Sequence, residues 1–111
     1  MKIKTSELTG RALDWAVCLA LGARISDGRF LELPSGYFVD KNSRYYSFKP
    51  STDWAQCGQL IETHHVELNF NSVSKEWAAY IFNFEELESV IEDGESPTIA
   101  ICRAVVAAQL G

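Results

Sequence analysis

Apolar residues recur along this chain in two periods, one of helices and one of strands, and the switches between them outline a fold. From 10 to 21, Leu13, Val17 and Leu21, with Ala16 and Ala20, fall at the i, i+3, i+4 spacing of one helix face. Thr9 stands where an N-cap hydroxyl belongs, and Gly22 where a left-handed residue closes a helix. This reading places Arg11, Asp14, Trp15 and Cys18 away from the centre of the apolar face. A second helix is predicted over 96–110, with Ser96 as N-cap and Pro97 at the first helical position. Ile99, Ile101, Cys102, Val105, Val106 and Leu110 make it apolar around much of its circumference, which predicts burial.

Alternation governs the rest. Residues 2–7 predict a short opening strand. Strands are expected over 29–33 and 37–39, divided by the turn signal Pro34-Ser35-Gly36, and over 44–48 after a turn at Asn42-Ser43. Residues 50–58 read as a loop rich in backbone-capping side chains. The clearest long strand is predicted over 60–70, with Val66, Leu68 and Phe70 toward the core and His65, Glu67 and Asn69 away from it. A turn over 71–75 returns the chain as a hairpin partner over 76–82. Asn83 and Glu86 have the spacing of a capping box, predicting a short acidic helix over 84–92 that ends at Gly94. Together these elements predict an α+β fold: an antiparallel β-sheet meander packed by N-terminal and C-terminal helices on one face.

The chain has 111 residues, which fits one domain spanning 1–111. Its hydrophobic fraction of 47% and charged fraction of 23% are ordinary globular values. Net charge is −5 and the ten Lys and Arg residues are scattered, so duplex nucleic acid is not an expected partner. The charged start predicts no signal peptide, and no apolar run is long enough to span a membrane. Three cysteines, Cys18, Cys57 and Cys102, lack C-x-x-C spacing and are expected as reduced thiols that bind no metal. His64 and His65 are adjacent; on a strand they would point to opposite faces and could not share a metal. Neither a cofactor motif nor a nucleophile elbow is present.

Three ordered segments carry a resemblance. They are Lys4-Thr-Ser-Glu-Leu-Thr-Gly10 running on through Ala12-Leu-Asp-Trp-Ala-Val17, then Pro50-Ser-Thr-Asp-Trp-Ala-Gln56 with Gly58, then Pro97-Thr98, Ile99-Ala100, Arg103, Val106-Ala107 and Leu110-Gly111. In these the chain resembles the phage NinX-like family. It departs where the family has Gly-Gly-Pro and this chain reads Cys57-Gly58-Gln59, and in a longer acidic stretch over 85–95. The resemblance implies a phage or prophage accessory protein in the host bacterial cytoplasm, and it supplies no reaction.

The candidate chemistry gathers in the 50–58 segment. Ser51, Thr52, Asp53, Trp54 and Gln56 crowd hydrogen-bonding groups beside an aromatic ring, a mixture suited to a small ligand with a flat base. Asp14 and Trp15 repeat the Asp-Trp pairing on the first helix, and two tryptophans could sandwich a ring. Arg103, the one charge inside an apolar helix, must meet water, a carboxylate such as Asp14 or Asp53, or a ligand anion. The plain alternative is architectural: Ser51 and Asp53 cap backbone while the tryptophans fill core. Three functions follow as expectations. The first is a binder of a small nucleotide-like ligand that withholds a host signal, using Asp14, Trp15, Ser51, Thr52, Asp53, Trp54, Gln56 and Arg103. The second is an inhibitor that presents an acidic surface to a host protein. The third is a small hydrolase with Asp14 or Asp53 as general base. The sequence leaves homo-oligomerisation open.

Overall fold

The computed structural model describes residues 4–26, 30–33, 38–40, 48–83 and 87–110. A 3-10 turn at Thr5–Glu7 leads into α1 (Gly10–Ala20), β1 (Arg24–Ser26), β2 (Phe30–Glu32) and β3 (Phe38–Asp40). Next come α2 (Trp54–His64), β4 (Glu67–Asn71), β5 (Glu76–Asn83), β6 (Glu88–Gly94) and α3 (Pro97–Leu110). Among the described residues the strands form two antiparallel meanders, β1-β2-β3 and β4-β5-β6. The α+β class holds, with the meander divided into two sheets. Helix α3 packs directly on β5 and β6, while α1 and α2 pack on α3.

The two predicted terminal helices form. Beyond α1, the Gly22 N–H donates to the Leu19 carbonyl (3.0 Å) and the Ala23 N–H to the Cys18 carbonyl (3.0 Å). Gly22 has φ 89°, so it supplies the left-handed residue that this reversal needs. Thr9 occupies the N-cap position, but its side chain makes no cap hydrogen bond. Helix α3 buries Thr98, Ala100, Ile101, Cys102, Ala104, Val105 and Val106, as its all-round apolarity requires. All of these but Thr98 meet Leu13, Val17, Cys57, Leu60, Val66, Ala79 and Ile81 in one core.

Four expectations are corrected. The opening is a 3-10 turn at Thr5–Glu7 instead of a strand; residues 2 and 3 lie outside the described residues. Residues 54–64 are a helix rather than the end of a loop and the start of a long strand. The Asp53 carboxylate accepts from the Gln56 N–H (3.0 Å), and the Cys57 N–H donates to the Asp53 carbonyl (2.9 Å), which starts the helix. Cys57, Leu60, Ile61 and His64 then repeat at helical spacing, and His65 ends the run in the left-handed region at φ 54°. Residues 88–94 form a strand rather than an acidic helix, because Val90 and Glu92 turn inward while Ile91 and Asp93 turn outward in register with β5. The expected capping-box residue Glu86 lies outside the described residues.

The fourth correction concerns Phe70. Val66 is buried and Leu68 packs on the core, but Phe70 is 49% exposed at the rim. Its ring lies 5.0 Å from that of Trp77, tilted by 54°. The hairpin itself forms as expected: the Asn71 side-chain oxygen accepts from the N–H groups of Val73 (2.9 Å) and Ser74 (3.1 Å), and β4 pairs with β5. The predicted turns at 34–36 and 42–43, and most of the strand over 44–48, lie outside the described residues. Strand β1 was not anticipated.

Candidate functional site

The 49–53 turn is held from three sides. Thr52 and Asp53 donate backbone N–H groups to the Lys49 carbonyl (3.1 and 2.9 Å). Asp14 of α1 is only 2% exposed, and its Oδ1 accepts from the Ser51 N–H at 2.8 Å. Thr98, in the first turn of α3, donates its hydroxyl to the Ser51 carbonyl at 2.6 Å. The backbone of Ser51 thus bridges α1 and α3 at the head of α2. Gln56 adds a fourth tie, its Oε1 accepting from the Lys49 N–H at 2.6 Å.

Asp14, Ser51, Asp53 and Gln56 are therefore brought together, and each makes a bond within the chain. Asp14 and Cys18 are buried instead of lying off the packed face: the 49–53 turn covers Asp14, while Cys18 packs with Leu33, Ala23 and Phe48. Thr52 is exposed, its hydroxyl 3.4 Å from the Lys49 carbonyl. The Ser51 hydroxyl is buried with no partner among the described residues. Trp54, first residue of α2, is 56% exposed. Trp15 is half-buried and packs against Cys18 and Leu33.

Arg103 departs from the expected pairing with Asp14 or Asp53. Its Nε donates to the Leu8 carbonyl (3.0 Å) and its Nη1 to the Asp93 carbonyl (2.8 Å). The guanidinium thus donates to main chain from both Nε and Nη1. It also partly offsets the burial that raises the Glu92 carboxyl above its ordinary range.

The three thiols are free and buried. Burial, with the nearby Asp14 charge, pushes Cys18 up to about 12. The neighbouring Cys57 thiol, and then burial, raise Cys102, while Cys102 lowers Cys57, whose Sγ lies 3.9 Å from the Thr98 carbonyl. His64 is held below its usual value by burial and then by neighbouring His65. Among the described residues no group of three or more His, Cys, Asp or Glu side chains is placed to hold a metal, and no helix is long and apolar enough to cross a membrane.

The other notable surface was missed by the sequence reading. It is the face of β4-β5-β6 turned away from α3. Tyr80 stands at its centre, opposite Glu67 of β4 and Ile91 of β6; Phe82 lies opposite Ser89, and Ala78 opposite Asp93. Phe82 is 44% and Ile91 54% exposed. Two shallow grooves, of 420 and 590 Å³, meet at Tyr80. The signal in the sequence was the alternation of 76–82, whose even positions Ala78, Tyr80 and Phe82 are as apolar as its odd ones.

Comparison with known proteins agrees with the segments singled out above. The family model for bacteriophage P22 NinX matches residues 4–109. In structure the chain is similar to a phage protein from Bacillus cereus, with a TM-score of 0.71 over 97% of this chain and 99% of that one at 14% identity, which is likeness of fold. Comparison with curated proteins returns no match.

Proposed function

The chain belongs to the phage NinX family, and from that premise we propose that it is a phage accessory protein that acts by docking onto another protein through the open face of β4-β5-β6. One observation carries this reading: Tyr80, Phe82 and Ile91 are arrayed on a sheet face with Glu67 and Asp93 beside them. An apolar centre inside a polar margin is the anatomy of a protein interface. The reading is tested with a photo-crosslinking amino acid placed at Ile91, and separately at exposed Gln59 on α2, in the infected or lysogenic host. A discrete adduct from position 91 and none from position 59 is expected. No adduct, or the same adducts from both positions, would remove the reading.

A second reading is kept by two observations at the head of α2. Trp54 presents an exposed ring, and the Ser51 hydroxyl is buried without a partner among the described residues. A small nucleotide-like ligand stacked on Trp54 would draw on Thr52 and the margin of the Asp14, Ser51, Asp53 and Gln56 network. Stacking on one aromatic ring contributes about 1–3 kcal/mol, so Trp54→Ala should abolish most of any thermal shift caused by nucleotides or cyclic nucleotides. If none of them stabilises the wild type, the network is architecture alone.

A further inference from the structure

Resting on the docking reading, we infer that the partner presents a basic segment, with an arginine or lysine seated over Tyr80 between Glu67 and Asp93. Cross-strand register sets this arrangement. Glu67 lies directly opposite Tyr80, and Asp93 is the diagonal neighbour of Tyr80 on β6, two residues beyond its partner Ile91. Direct cross-strand neighbours sit about 5 Å apart at Cβ and diagonal ones about 7 Å, so both carboxylates flank the same ring. A cation over an aromatic face gains from the ring quadrupole, and here it would also meet carboxylates on two sides. Both grooves are lined by Tyr80, so a long side chain can approach from either end of the sheet.

Charge selects the occupant. The outward positions of β4, β5 and β6 among the described residues include Glu67, Glu76 and Asp93 and no Lys or Arg. A second copy of the chain would set these carboxylates against their own kind, which disfavours self-association through this face. Nucleic acid would bring phosphate to the same carboxylates. A basic partner is the one class whose charge the face complements, with Ile91 and Phe82 providing the apolar contact at its centre.

The test uses a fluorescent octapeptide of alternating arginine and valine, titrated at low ionic strength, with a glutamate-valine peptide and a single-stranded oligonucleotide as rivals. Two charge variants are compared. One carries Glu67→Lys with Asp93→Lys on the face; the other carries Ala55→Lys, Gln59→Lys and Glu62→Lys at exposed sites on α2, which packs on α3, so net charge changes equally. Tyr80→Leu removes the ring, and circular dichroism checks that each variant is folded. The arginine peptide is expected to bind, and to lose about tenfold or more in affinity to the face variant, several-fold to Tyr80→Leu and little to the α2 variant. Equal loss in both charge variants, equal binding of the glutamate peptide, tighter binding of the oligonucleotide, or a dimer that competes with the peptide would each overturn the inference. If the peptide fails to bind while the crosslink from position 91 persists, the basic partner is wrong and docking stands. If both are absent, both readings fall.

Discussion

Asp14 and Ser51 are 37 positions apart in sequence and joined by a single buried hydrogen bond, and the two side chains are expected to respond to truncation in opposite ways. Asp14→Ala leaves the Ser51 N–H buried without its acceptor, which costs about 1–3 kcal/mol, more where the lost group is charged. Ser51→Ala removes only a hydroxyl with no partner among the described residues and keeps the backbone N–H that Asp14 grips. It should be neutral or slightly stabilising. Urea denaturation of the two variants checks the pair; a Ser51→Ala variant as unstable as Asp14→Ala would show that the hydroxyl has a partner of its own. Asp14 was legible as a candidate residue from the Asp-Trp pairing. Its burial was not, because a helical projection counts apolar side chains and has no way of showing a distant turn folding over a polar one. Arg103 was likewise legible as a charge needing partners, while its main-chain partners carry no side-chain signature.

At the scale of elements, the terminal helices were readable because each combines periodicity with terminal punctuation. Helix α2 carried a signal as well, Asp53 followed three residues later by Gln56, which is capping-box spacing. Pro50, Ser51, Thr52 and Gly58 drew the reading toward a loop, and alternation at 66–70 was extended backward through what is the last turn of a helix. Strand β6 was lost to the Asn83 and Glu86 spacing for the converse reason: a local capping pattern was given more weight than the pairing that β5 offers seven consecutive residues. Two glycines separate the local from the tertiary contribution. Gly58 sits inside α2, and a Cβ there would meet nothing within 4 Å. Gly58→Ala should therefore stabilise by about 0.5–1 kcal/mol through helix propensity alone. At Gly94 an added Cβ would stand 2.6 Å from the Ala100 backbone nitrogen and 3.0 Å from its Cα. Gly94→Ala must push β6 off the first turn of α3, and a loss of roughly 1–3 kcal/mol is expected. Thermal melts of the two variants should move in opposite directions; a destabilised Gly58→Ala would mean that the open side of α2 is occupied in solution.

For the whole molecule, the α+β class and the burial of the last helix followed from pattern, because buried faces repeat. The outer face of β4-β5-β6 left only the apolar even positions of 76–82 as a trace, and its meaning appears when register sets Glu67, Tyr80 and Asp93 side by side. The division into two sheets was also hidden, because alternation reports that a strand exists and not which strand it joins. The contacts of Arg103 bear on how this assembly tolerates change. One side chain of α3 ties the segment before α1 and the end of β6 to the core, and it holds both by carbonyl oxygens. A carbonyl belongs to every amino acid and titrates at no accessible pH. Residues 8 and 93 can therefore be replaced without erasing the acceptor, and acid that neutralises carboxylates leaves this tie intact. The inheritance of the joint rests on one codon: this tie asks for no particular side chain at position 8 or 93, but it is lost in a single step when position 103 changes.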